Sequence, residues 1–257
     1  MKTQPKHIYI PGIVYNEAEI RGYTQQLEKS GISNVEIFSD SFTKLLGIKS
    51  TSNQLKAITQ LFAENTQHFA QAVKETFSRL SNDEETIIHS QSMGGNLALY
   101  LASQYPNISK QILMQPARRF SLNVSSIIKD SAKKSPTEEE IDKAFVNGLI
   151  SEPLLIKLLF QSMRLGTQGL GGVEIPSLIM YSEYDPLIPK ATIKKLYETL
   201  KQQAPTELIK VMGGRHVIFH QPQMVNAASE IARFVSTPKE QLALTLQNPA
   251  YKPKEIL

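Results

Sequence analysis

The stretch Ile87-Ile88-His89-Ser90-Gln91-Ser92-Met93-Gly94-Gly95-Asn96-Leu97-Ala98-Leu99-Tyr100 constrains the fold more than any other. Its apolar start reads as the end of a strand, and the Leu and Ala that follow read as a helix. Only a sharp turn joins the two. Small residues, Ser90 and Gly94, stand two positions before and after Ser92, where larger ones would clash with so tight a bend. Ser92 then sits at a helix N-terminus, where backbone N–H groups and the helix dipole favour negative charge.

The rest of the chain repeats this strand-then-helix rhythm. His7–Ile10 reads as a strand ended by Pro11-Gly12. Residues 16–30 place Ile20, Tyr23 and Leu27 on one helical face, with Gly31 set to end the helix. Residues 35–38 are the next strand, which gives a right-handed parallel crossover. A loop over 39–51 precedes helical spacing over 52–80, with Asn65 marking a break. Strands at 86–90 and 111–114 flank a helix over 95–104. Strands at 176–182 and 207–212 are followed by helices over 190–202 and 221–235. The expected fold class is α/β, a mostly parallel sheet of about six strands flanked by helices.

Residues 117–173 interrupt the rhythm. They hold up to three helices and no strand, and Ser135-Pro136-Thr137-Glu138 forms a capping box. The helix opened by Ser151-Glu152-Pro153 is apolar over most of its circumference, with only Lys157, Gln161 and Arg164 as a polar stripe. Such a helix is buried on two sides. It reads as a core helix or as a cap whose Leu155 and Leu159 line an acyl pocket, and Gly166, Gly169, Gly171 and Gly172 read as a flexible return. The expected organisation is one domain over 1–257, with 117–173 as an inserted helical cap. The Pro-spaced tail, 237–257, is expected to wrap the surface or stay disordered.

Composition narrows the class. The chain has 257 residues, 41% of them hydrophobic and 20% charged, enough for a sizeable core. It has no cysteine, so no disulfide or thiolate site is expected, and the default compartment is the cytoplasm. No apolar run reaches the ~18 residues of a membrane span. The net charge of +4 is not gathered into a basic stripe, which argues against nucleic acid. No His and carboxylate set has zinc-like spacing, so neither a metal nor a cofactor is expected.

Three residues at strand ends can carry chemistry together. Ser92, Asp185 and His216 each follow a strand at its carboxyl end, where ligands gather in parallel sheets. A serine hydroxyl is a weak nucleophile until a base takes its proton. Histidine titrates near neutrality and can take and return that proton, while a carboxylate on its far nitrogen fixes the tautomer. His89, three before Ser92, reads as a packed core residue. His220 and Glu183 are the competing base and acid. His7 and His68 have no supporting context.

Residues 86–104 resemble the nucleophile elbow of the α/β-hydrolase superfamily, with Ser90 where Gly is usual. Pro176–Pro189 resembles the family's acid segment, with Asp185 matching the acid and Ser182 replacing a Gly. Gly213-Gly214-Arg215-His216 resembles the turn that carries its base. The order Ser, Asp, His is also the family's. The resemblance covers about 7–115 and 175–235. It implies catalytic Ser92, Asp185 and His216, with the backbone N–H groups of Met93 and Ile13 as oxyanion donors. Pro11 departs from the His usual before that loop's Gly. It further implies a serine hydrolase acting on an ester or thioester, and the apolar cap favours an acyl chain. Arg118 and Arg119 follow the fourth strand and are expected to meet an anionic group, such as an acidic acyl carrier protein, or to be ordinary surface. The rival reading is a slow or non-catalytic ligand-binding protein on the same scaffold.

Overall fold

The computed structural model describes residues 4–12, 17–38, 65–119, 153–185, 187–214, 223–248 and 251–256. The 39–51 loop, the capping box at 135–138 and most of the expected cap lie outside them. Among the described residues the chain forms seven strands and seven helices. In chain order these are β1 (Lys6–Ile10), α1 (Glu17–Lys29), β2 (Val35–Ile37), α2 (Thr66–Ser81), β3 (Thr86–Gln91), α3 (Met93–Ala102) and β4 (Ile108–Met114). They continue as α4 (Pro153–Leu170), β5 (Ser177–Ser182), α5 (Lys190–Lys201), β6 (Thr206–Val211), α6 (Gln223–Ser236), α7 (Lys239–Leu246) and β7 (Lys254–Ile256).

One sheet holds all seven strands, every neighbouring pair parallel, in the order β2-β1-β3-β4-β5-β6-β7. The chain leaves β1 toward one edge to make β2, then returns to place β3 on the other side of β1. The strand order therefore reverses between β1 and β3, and the carboxyl ends at such a reversal are where ligands bind in open parallel sheets.

Alternation along the strands divides two apolar layers. Ile8, Ile10, Ile88 and Leu113 face a core shared with α2, α3, α4 and α5. Tyr9, Ile87, Ile112 and Met114 face the other core, under α1, α6 and α7. Each buried Leu or Ile contributes ~1.5–3 kcal/mol by leaving water. All ten residues of α3 are buried, because β3 lies under it and α4 runs over it. Asn65 caps α2, its side chain accepting from the backbone N–H of Gln67 and His68, which accounts for the break read there.

One expectation is corrected and another is narrowed. Gly166 and Gly169 lie inside α4 rather than in a flexible return. A Cβ on Gly169 would stand 2.5 Å from the Leu99 carbonyl oxygen and 2.5 Å from the Tyr100 Cα, so its absence lets α4 lie directly on the α3 backbone. Of the two alternatives for the tail, its described residues take the ordered one, as α7 and a seventh strand. Lys254 of β7 lies 3.5 Å from Glu207 and 3.0 Å from Glu230. Lys-Glu-Ile directly after Pro253 carries no strand pattern, so these ion pairs and the edge of β6 supply what local sequence does not.

Candidate active site

Ser92 caps α3 with φ 50° and ψ −116°, a conformation non-glycine residues rarely hold. Its surroundings fix it there. Its N–H donates to the Met114 carbonyl at 2.9 Å, and its own carbonyl accepts from Ala117 at 2.9 Å and Gly95 at 3.1 Å. Gly94 is required by the close approach of β1: a Cβ there would lie 2.2 Å from the Ile10 carbonyl oxygen. Ser90, in the position where Gly is usual, donates its hydroxyl to the Ile112 carbonyl at 2.9 Å, so its polar atom is satisfied within the sheet. Ser92 is only 6% exposed, directly after the carboxyl end of β3.

The β1–β3 register pairs Ile10 with Ser90, which brings Gly12 level with Ser92. A Cβ on Gly12 would stand 3.3 Å from the Ser92 Cβ and 3.9 Å from its Oγ. The loop expected to supply an oxyanion donor thus starts against the serine. Met93, the other expected donor, is the first residue of α3, where backbone N–H groups lack partners within the helix. Ile13 lies outside the described residues.

Asp185 follows β5. Its Oδ1 accepts from the backbone N–H of Leu187 at 2.8 Å and Ile188 at 3.0 Å, which locks the carboxylate in one orientation. Glu183, the competing acid, is engaged elsewhere. Its carboxylate accepts from the Gly213 N–H at 3.1 Å and pairs with Lys210 at 3.3 Å. The Gly213 N–H, with Lys210, holds that carboxyl below the usual carboxylate range. The Tyr184 N–H donates to the Gly214 carbonyl at 3.0 Å. The turn that carries Asp185 is therefore bound to residues 213 and 214, two positions short of His216. His216, Arg215 and His220 lie outside the described residues.

His89 is fully buried and faces the α1–α6 layer, away from α3. Its Nδ1 is 2.7 Å from the Tyr23 hydroxyl, and its Nε2 is 2.9 Å from His7 Nδ1. Burial holds His89 well below the usual imidazole value and brings His7 down to about 4. His89 is thus the packed core residue the sequence suggested, whereas the place of His7 beside it had no local signal. His68 is exposed on α2.

Gln115 also escaped sequence reading. It directly follows β4 at φ 48°, fully buried, and its Nε2 donates to the Ser182 hydroxyl at the base of the Asp185 turn. A polar residue just before Pro116, at the end of an apolar strand, was the available signal. Leu159 is buried in the core beside α3, and the side chain of Leu155 lies outside the described part of α4. Arg118 is half-buried and donates to the Met163 carbonyl at 3.4 Å and the Thr167 hydroxyl at 3.2 Å, while Arg119 is exposed. No helix among the described residues is long and apolar enough to cross a membrane.

No family model matches the sequence, and no curated protein matches it. Solved structures do match. One is from the work on LipS and LipT, two metagenome-derived lipolytic enzymes, with TM-score 0.56 and 15% identity over 91% of this chain and 95% of that one. The monoacylglycerol lipase of Paleococcus ferrophilus matches with TM-score 0.52 and 13% identity over 90% of this chain and 95% of that one. The hyperthermophilic esterase of Pyrobaculum calidifontis matches with TM-score 0.53 and 17% identity over 90% of this chain and 76% of that one. At such identities the likeness is one of architecture, and it agrees with the parallel sheet, the strand reversal and the strained serine: this chain has the α/β-hydrolase fold.

Proposed function

We propose that the chain is a serine hydrolase that cleaves a carboxylic ester or thioester through an acyl-enzyme on Ser92. The observation that carries this reading is the backbone of Ser92, held at φ 50° at the carboxyl end of β3 with Gly12 against it. Strain of this kind persists where the surroundings over-determine it, and it clusters at reactive residues. In the proposed reaction His216 takes the Ser92 proton as Oγ attacks the acyl carbon. The Met93 and Ile13 N–H groups receive the oxyanion. His216 then protonates the leaving group, and Asp185 orients the imidazole. Water attacks the acyl-enzyme by the same route and releases the acid.

The three structural relatives described above carry names of lipolytic, monoacylglycerol lipase and esterase enzymes, which supports an ester as the bond cleaved. The apolar arc of α4 supports an acyl chain as its acid part. A panel of p-nitrophenyl esters and acyl thioesters of rising chain length, assayed with wild type and Ser92→Ala, tests the proposal. Turnover of some member by wild type alone is expected. Equal rates for the two proteins on every member would leave a ligand-binding protein on this scaffold.

A further inference from the structure

A groove of about 270 Å³ runs between the 118–119 segment, the end of α4 and the outer face of α5. Arg118, Arg119 and Lys195 line it, and none of its lining residues is acidic. Its remaining walls offer the hydroxyls of Thr192 and Thr199 and the apolar side chain of Leu170. Among the described residues, none of the three cations has a carboxylate partner. Among the described residues, Arg233 pairs with Glu207 and Glu230 and Lys210 with Glu183 and Glu255, while the buried Lys110 is held by the carbonyls of Phe234, Val235 and Thr237.

Arg118 is the most telling of the three. Its guanidinium carries five N–H donors, and its two hydrogen bonds are long ones to neutral oxygens, at 3.4 and 3.2 Å. Burial pushes it below its usual value, and among the described residues no neighbouring acid offsets the loss of water. A cation taken partly out of water gains most from an anion that replaces that water. The N-terminal turn of α5 adds to the same field. It holds no acidic residue, its Pro189 cap supplies no side-chain hydrogen bond, and Ala191 and Thr192 face the groove.

We propose that this groove is a binding site for a phosphate monoester group, held by Arg118, Arg119 and Lys195, with the organic part of the molecule against Leu170. A phosphate dianion matches three converging cations better than a single carboxylate does. The planar guanidinium fork engages two of its oxygens at once. The volume lies just under the ~300 Å³ at which small-molecule sites begin, enough for a phosphate and a short chain. The site is independent of hydrolysis at Ser92.

Calorimetric titration of the full chain with inorganic phosphate, n-butyl phosphate and n-butanol tests it. Arg118 braces α4, so the informative variant is Arg119→Gln/Lys195→Gln, whose side chains are exposed and have no partner among the described residues. A control of equal charge change is Lys239→Gln/Lys252→Gln, both exposed and remote in sequence. Wild type, the control and Ser92→Ala should bind phosphate alike, and the groove variant should bind at least roughly tenfold more weakly. n-Butanol should not bind. Tighter binding of n-butyl phosphate than of phosphate identifies an ester as the occupant, and equal binding identifies free phosphate. No binding by wild type, equal weakening in the control, or full binding by the groove variant would overturn the proposal. Loss of the hydrolase reading would leave these outcomes unchanged.

Discussion

The hydroxyl of Tyr23 stands 2.7 Å from Nδ1 of His89, and the opposite nitrogen of that ring stands 2.9 Å from His7. This chain of polar groups joins α1, β3 and β1. It is satisfied when both imidazoles are neutral, each giving one donor and one acceptor.

The first prediction follows from that neutrality. His7 falls from 6.5 to about 4 on folding, and His89 falls as well. The unfolded chain therefore binds protons that the folded chain refuses. Stability from this pair is fully present above the unfolded value of 6.5 and is lost as pH falls toward 4. His7 alone accounts for about 3 kcal/mol across that window. Urea unfolding at a series of pH values should show the loss, and His7→Gln should flatten part of it. A wild-type midpoint that stays level over the whole window contradicts this account.

The contact of α4 with α3 gives the second. Gly169→Ala puts a methyl 2.5 Å from the Leu99 carbonyl oxygen and should cost roughly 2–3 kcal/mol. Gly171→Ala, where nothing lies within 4 Å, should change stability by under about 0.5 kcal/mol. Thermal melts of the two variants side by side check the pair. Equal melting temperatures would mean that α4 does not lie on the α3 backbone.

The tail gives the third. Glu207 is 2% exposed, accepts two hydrogen bonds from Arg233 at 2.7 and 2.6 Å, and lies 3.5 Å from Lys254. Arg233→Met leaves that buried carboxylate with the more distant lysine alone. The cost should be roughly 2–3 kcal/mol, less than for a wholly buried pair because Arg233 is part exposed. Amide exchange at residues 254–256 should quicken in the same variant. Unaltered exchange there would show that these ions do not hold the edge strand.

The fourth concerns Gln115, which we treat as a positioning residue. Its amide reaches Ser182, at the base of the turn that locks Asp185. Gln115→Leu should lower kcat roughly tenfold with little change in KM, as expected when geometry is disturbed while substrate binding is kept. Gln115→Asn should recover little, because its side chain is one carbon shorter. A variant with full kcat and wild-type stability would remove Gln115 from the account.

Most of the sheet was legible because its strands are short apolar runs bounded by Gly, Pro and Asn, and its helices have clear apolar faces. Ser92 was legible because a sharp turn demands small neighbours, and Gly94 meets that demand against the Ile10 carbonyl. What escaped reading depends on residues far apart in the chain. β7 forms through pairing with β6 and through Glu207 and Glu230, which its own three residues do not announce. Gly169 reads locally as a helix breaker, and only the nearness of Leu99 makes it a packing residue. His7 and His89 are 82 positions apart, and parallel pairing of β1 and β3 alone brings them together.

The central claim is that Ser92 is an activated nucleophile, and labelling with a fluorophosphonate tests it most directly. Intact-mass analysis of the wild type should show one adduct per chain, and peptide mapping should place it on Ser92. Ser92→Ala and His216→Ala should stay unlabelled, because the serine needs its base. A wild-type chain that takes no label, or that carries the label on Ser90 instead, would contradict the account.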